Sequence, residues 1–203
     1  MLFRQTLPEL QGKIRVINAL KDPRKIDIYL GERKIGEDLS FSEVSCYETI
    51  SADTYDLNIY ESGKKETPLL SKKVNILPSN YLTISIVDMN ENYDILILND
   101  ANSKEKITNT FLRFINLSEN APLMTLSLFN DIKLFDNVEY LEATGYYPLS
   151  PAIYNFRVSF SSLTGLYKNI SDKKLVNGKF YTIYIIGLLN DEPQIGYLLL
   201  QDG

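Results

Sequence analysis

The feature that most constrains this chain is that it says nearly the same thing twice. Phe41-Ser-Glu-Val-Ser-Cys-Tyr47 followed by Ile50-Ser-Ala-Asp-Thr-Tyr55 returns as Tyr140-Leu-Glu-Ala-Thr-Gly-Tyr146 followed by Leu149-Ser-Pro-Ala-Ile-Tyr154. One constant offset places Glu43 on Glu142, Tyr47 on Tyr146, Ser51 on Ser150 and Tyr55 on Tyr154. Self-similarity on that scale means two copies of one domain rather than one large fold. The 203 residues suffice for two domains of roughly 100 residues each.

Within each copy the hydrophobic pattern has period two, the signature of half-buried strands. Ile26, Ile28 and Leu30 share one face against Asp27 and Tyr29, and Met124, Leu126 and Leu128 do the same against Thr125 and Ser127. Tyr55, Leu57 and Ile59 alternate with Asp56, Asn58 and Tyr60; Tyr154, Phe156 and Val158 alternate with Asn155, Arg157 and Ser159. Leu82, Ile84 and Ile86 match Tyr181, Ile183 and Ile185, and each copy ends on an apolar strand, Tyr93–Leu98 and Ile195–Leu200. Turn signals such as Asp22-Pro23, Ser62-Gly63, Asn177-Gly178 and Asp191-Glu192-Pro193 separate these runs, and no long stretch has a 3.6-residue period.

The expectation is an all-β chain of two tandem antiparallel Ig-like β-sandwiches. Residues 1–12 form an N-terminal arm, 13–100 the first sandwich, 101–109 a polar linker and 110–203 the second sandwich. So short a linker predicts a packed interface between them. Tyr55 and Tyr154 have the placement of a tyrosine corner, in which a phenol at a strand start bonds to a backbone group a few residues upstream. Both are read as structural.

Composition removes several chemistries. There is no histidine, so Ser-His-Asp and Cys-His catalysis and every His-containing metal site are excluded. The lone Cys46 cannot form an internal disulfide, and its place in the run from Glu43 to Tyr47 predicts a buried, inert thiol on a strand. No Gly-rich phosphate loop or EF-hand pattern occurs; Asp22, Asp100 and Glu119 are the nearest thing to a Ca²⁺ site at the domain junction. Net charge is −5 with no basic cluster larger than a Lys pair, which argues against nucleic acid as a partner. No apolar run approaches the ~20 residues of a membrane helix, and the N-terminus lacks a signal-peptide core, so synthesis in the cytoplasm without standard export is expected.

Two repeated polar pairs call for a role. Arg15 and Arg113 are read as structural, each pairing with an acid such as Asp27 on its own sheet face, while Asn18 and Asn116 close a turn after the first strand. Tyr29, Tyr60, Tyr140, Tyr147 and Tyr184 are read as exposed and form the candidate interaction surface, tyrosine being enriched at interfaces.

Ile14-Arg-Val-Ile-Asn-Ala19, Ile26-Asp-Ile-Tyr-Leu30, the tyrosine corner and Phe180-Tyr-Thr-Ile-Tyr-Ile-Ile-Gly-Leu188 together resemble a bacterial tandem family catalogued as domain of unknown function 4397. That family is typified by an Arg-Val-x-His/Asn-Ala opening followed by prolines and by a Phe-Tyr-Thr-x-Tyr-Ala-Val-Gly ending. The resemblance covers residues 13–202. It departs at the opening, where Lys21 and Arg24 replace prolines, and at Thr125, where the family has Asp. It implies Ig-like domains and brings no catalytic residues. Short two-copy members are similar to those of spore-forming Gram-positive bacteria, which implies a spore or cell-surface layer.

The resulting expectation is a non-catalytic structural or protein-interaction module that needs no cofactor or metal and works through a protein partner or self-association. The alternative is a binding module for a small ligand, glycan or peptide at the loop ends or interdomain groove.

Overall fold

The computed structural model describes residues 10–102 and 108–203. The proposed arm up to residue 9 and linker residues 103–107 lie outside these. Gln11 and Gly12, assigned to the arm by sequence, begin the first strand.

The first half contains β1 (Gln11–Asn18), β2 (Ile26–Leu30), β3 (Arg33–Leu39), β4 (Glu48–Ser51), β5 (Thr54–Glu61), β6 (Leu70–Asn75), β7 (Tyr81–Met89) and β8 (Asn92–Asp100). The second contains β9 (Thr110–Leu117), β10 (Met124–Leu128), β11 (Lys133–Val138), β12 (Tyr147–Leu149), β13 (Ala152–Phe160), β14 (Tyr167–Leu175), β15 (Phe180–Ile186) and β16 (Gly196–Asp202). Each half pairs two four-stranded sheets. The orders are β4-β1-β7-β8 with β3-β2-β5-β6, and β12-β9-β15-β16 with β11-β10-β13-β14. Strand for strand, the two orders are the same. The chain is all-β, two tandem β-sandwiches.

Among its named strands, each sandwich departs from a purely antiparallel arrangement at one pair. β1 runs parallel to β7, and β9 to β15. Parallel neighbours need a long crossover, and here the chain makes it through the whole opposite sheet.

Alternation decides where the cores sit. Ile14 and Val16 of β1 and Leu82, Ile84 and Ile86 of β7 point into the first sandwich. Leu112 and Phe114 of β9 with Ile183 and Ile185 of β15 point into the second. The residues between them form a third cluster, in which Ile17, Val87 and Leu98 meet Ile115, Leu117, Tyr184 and Ile186. The central strands of these two sheets are therefore buried on both faces, one by their own sandwich and one by its neighbour.

The repeated Phe41–Tyr47 segment is not a strand. It is a turn tied to β1 by a single bridge, Ile17 to Val44, matched by Ile115 to Ala143. Ser42 and Leu141 take left-handed φ of 68° and 63° at equivalent places. The Glu side chain closes the turn, Glu43 accepting from Ser40 N at 2.7 Å and Glu142 from Glu139 N at 2.8 Å. Ser45 and Thr144 then stand in for a missing ladder bond by accepting from Val16 N and Phe114 N at 3.0 and 2.9 Å. Cys46 is exposed, a correction to the buried thiol expected from strand alternation.

Candidate functional site

Between the sandwiches lies a cluster of four charges that have left water. Arg15 and Arg113 stand at matched positions on β1 and β9, and Asp100 and Asp202 end β8 and β16; all four side chains are at most 6% exposed. Arg15 does not pair with Asp27, as sequence predicts, because β1 and β2 lie in opposite sheets of the sandwich and their two side chains leave it on opposite faces. Arg15 reaches Asp202 of the other sandwich at 2.5 Å, while Arg113 reaches back to Asp100. Each guanidinium also lies 3.6–3.8 Å from the second carboxylate, so the charges form a closed square of zero net charge.

The remaining valences are satisfied in duplicate. Arg15 Nε donates to Thr83 at 2.7 Å and Arg113 Nε to Thr182 at 3.0 Å. Arg15 Nη1 donates to the Gln201 carbonyl at 2.9 Å, Arg113 Nη1 to that of Asn99 at 3.2 Å. Tyr47 donates to Asp100 at 2.6 Å and Tyr146 to Asp202 at 2.7 Å, and each ring lies 4.6 Å from the guanidinium of its own sandwich. Both threonine hydroxyls donate to carboxylates as well. Buried ion pairs hold only when extra hydrogen bonds satisfy their lone pairs and protons, and here that condition is met.

Electrostatics follow from burial. Removal from water, and then the neighbouring Asp100 charge, push the Asp202 carboxyl above its usual range. Burial and the adjacent carboxylates push the Tyr47 and Tyr146 phenols upward and keep them protonated. Burial opposes the charge on Arg15 and Arg113, but their phenol and carboxylate neighbours raise both above the ordinary value.

One position breaks the symmetry. The β7 and β15 registers make Ser85 the counterpart of Tyr184. Tyr184 was expected on the surface; it is 0% exposed, because the outer face of β15 is an interface rather than a solvent face. Its hydroxyl and that of Ser85 find no protein partner.

The other tyrosines of the proposed interaction surface scatter. Tyr140 also belongs to the interface rather than to an exposed patch, donating to the Asp88 carbonyl of the first sandwich. Tyr29 and Tyr60 meet edge-to-face at 5.7 Å on the outer sheet of the first sandwich. Tyr147, 45% exposed, sits on edge strand β12 of the second. Tyr55 and Tyr154 donate to the carbonyls of Ser51 and Ser150 at 3.0 and 2.7 Å, which is corner geometry. Asn18 and Asn116 accept from the N–H two residues on, at 3.1 and 2.9 Å, closing the turn after each first strand.

The three acids considered for Ca²⁺ do not converge. Asp22 binds Arg24, Glu119 binds Lys21 at 2.6 Å across the junction, and Asp100 is in the square. No group of three potential metal-ligating side chains occurs among the described residues. Sequence reasoning singled out Asp100 only for Ca²⁺ and missed Asp202, and so missed both as arginine partners, for a traceable reason. The β7–β8 turn is Asn90-Glu91, whereas β15 and β16 are joined by a longer loop, so the constant offset that aligned the rest fails there.

Surface clefts of 270 to 670 Å³ open elsewhere on the described residues, and their linings contain no member of the charge square. Among the described residues no helix is long and apolar enough to cross a membrane.

Comparison with solved structures finds weak likenesses over the full length. One is the tip fimbrial protein Mfa3 of Porphyromonas gingivalis with a C-terminal truncation, 9% identical with a TM-score of 0.33, covering 96% of this chain and 99% of that one. Another is a family 26 carbohydrate-binding module of Eubacterium rectale Amy13K, solved in complex with maltoheptaose, 11% identical with a TM-score of 0.28, covering 93% and 96%. At those scores neither carries an argument about function. No curated protein matches. The family comparison is decisive by contrast: residues 12–127, more than half the chain, match the domain of unknown function DUF4397, and the protein belongs to that family.

Proposed function

We propose that this protein is a non-catalytic structural or protein-interaction module, in which two sandwiches are joined as one unit and offer their outer sheets and free edges to a partner, a second copy included. One observation carries the reading. Buried arginines, carboxylates and phenols are the groups an active site would tune, yet here they neutralise one another across the domain interface, away from the clefts. Cys46 adds nothing to the case for chemistry; its exposure makes labelling by a thiol probe an expected result whatever the function.

Location in a spore or cell-surface layer after cytoplasmic synthesis belongs to the same proposal and rests on the family resemblance. Cross-linking mass spectrometry on producing cells tests both. Recurrent cross-links from outer-sheet lysines such as Lys72 and Lys133 to one coat or envelope protein, or to a second copy, support the reading. A hydrolase or transferase activity of the purified chain that disappears in a conservative, folded variant such as Asp202→Asn would overturn it. The second reading, a binding module, is favoured by one feature: two clefts of 670 and 660 Å³ lie side by side on the second sandwich and share a wall.

A further inference from the structure

The outer sheets of the two sandwiches have the same backbone and opposite surfaces. Strand register equates Asp27, Tyr29, Asn58 and Tyr60 of β2 and β5 with Thr125, Ser127, Arg157 and Ser159 of β10 and β13. In the first sandwich this face is filled. Tyr29 and Tyr60 pack against each other, and the Lys34 and Lys65 ammonium groups lie 5.6 and 4.2 Å from the Tyr29 ring centre. Asp27 is buried beneath, accepting from Asp38 N at 2.9 Å and bonded to Lys34 at 3.2 Å.

In the second sandwich two serines stand where those tyrosines are, and a cleft of 660 Å³ opens above Thr125, Ser127, Arg157 and Ser159. A cleft of 670 Å³ lies beyond it, toward the β15–β16 loop; Phe160, Leu166 and Tyr167 line both. Tyr167, 51% exposed, therefore stands at the middle of a two-part groove. The Arg157 guanidinium lies 4.8 Å from the ring centres of both Tyr167 and Phe129, which is 53% exposed. Asp131 holds that guanidinium at 2.9 Å. Cation–π contact thus fixes the Tyr167 ring while the residue stays half exposed in the groove; Phe129 lines neither cleft and serves only to hold Arg157.

We infer that this groove binds a neutral oligosaccharide, with Tyr167 as the stacking platform. The inference rests on the reading of the chain as a non-catalytic module and names a ligand class for it. Charge selects against anions: Arg157 is paired with Asp131 and Lys133 with Asp136 at 2.9 Å, the second cleft adds one Lys168 against two acids, Asp191 and Glu192, and the chain as a whole is negative. An anion or a nucleic acid gains no net field there. What the groove offers is hydroxyls, both partners of the Arg157–Asp131 pair, and open aromatic surface. Convergent polar groups beside an apolar platform are what a sugar needs, its C–H face on the ring and its hydroxyls bonded at the rim. An extended peptide is less well served. The floor is the face of a sheet rather than an edge, so it presents side chains and no backbone ladder to pair with the peptide's own amides.

The test is native affinity electrophoresis of the full chain through gels containing amylopectin, mixed-linkage β-glucan, galactomannan or arabinoxylan, with heparin as the polyanion arm. Retardation by at least one neutral polymer is expected. Tyr167→Ala and Ser159→Tyr, the latter rebuilding the plug of the first sandwich, should each weaken it about tenfold, whereas Tyr29→Ala should not. Melting curves identify any variant that fails to fold, and exposed Tyr167 supplies a second variant should Ser159→Tyr misfold. No retardation by any of the four neutral polymers overturns the inference, as does retardation that persists in both folded variants or that occurs with heparin alone. The cross-linking result stands or falls separately.

Discussion

The faces that the two sandwiches turn toward each other carry the same charged chemistry around one square, with Ser85 against Tyr184 as the exception, while the faces they turn away do not. Arg, Thr, Tyr and Asp recur around one charge square, yet Tyr29 and Tyr60 on one outer sheet answer to Ser127 and Ser159 on the other. The difference locates the constraint. A buried charge must be met by its opposite at fixed distance, so neither copy can change without unpairing the other. An outer face answers only to solvent and ligand, and is free to be filled in one copy and open in the other.

The largest expected effect probes the shared side. Asp100→Ala and Asp202→Ala each strand an arginine, and each should cost about 3–5 kcal/mol in urea unfolding. Equal costs, within about 1 kcal/mol, sharpen the equivalence of the two halves; a clearly smaller cost for one breaks it. Alkaline titration acts on the same interface. Tyr47, Tyr140, Tyr146 and Tyr184 are all held above the ordinary phenol value, mainly by burial. A folded value above the unfolded one means stability is intact below the unfolded value and is lost as pH rises from about 10 through the folded one. Tyrosinate absorbance from these rings should therefore appear together with loss of near-UV circular dichroism, and a phenol titrating fully in the folded chain contradicts its burial.

Smaller effects separate the cluster from the rest. Tyr47→Phe and Tyr146→Phe each remove a bond to a carboxylate and should cost about 1.5–3 kcal/mol, against about 0.5–1.5 kcal/mol for Tyr55→Phe and Tyr154→Phe, whose partners are neutral carbonyls. If the corners cost as much as the cluster, charge is not what distinguishes the inward face. Tyr184→Phe removes a buried hydroxyl that has no protein partner and should raise stability by about 1 kcal/mol in the same measurement. A loss instead would show that the hydroxyl is satisfied.

The fold was legible because period-two alternation in β2, β5, β10 and β13 marks strands with one dry and one wet face, and because the repeat pairs them. The outer-sheet edge strands β6 and β14 escaped for the opposite reason. β6 reads Leu-Ser-Lys-Lys-Val-Asn and β14 carries Lys173-Lys174, and charged edges suppress the apolar pattern that identifies a strand. Tyr184 was misplaced because alternation assigns one face to solvent, and β15 has none to give. The charge square was half legible. Both arginines were visible as a repeated oddity, but their partners lie in the other copy, where pairing depends on how two domains dock and not on any spacing along one of them.

The central claim is that Arg15 and Asp202 hold the two sandwiches together. A double-mutant cycle of Arg15→Ala and Asp202→Ala, read by urea unfolding of the intact chain, tests it most directly. The account predicts that the double variant is more stable than the sum of the single losses implies, by about 1.5–3 kcal/mol, because each single change leaves a charge buried without its partner. Additivity within about 0.5 kcal/mol would contradict it.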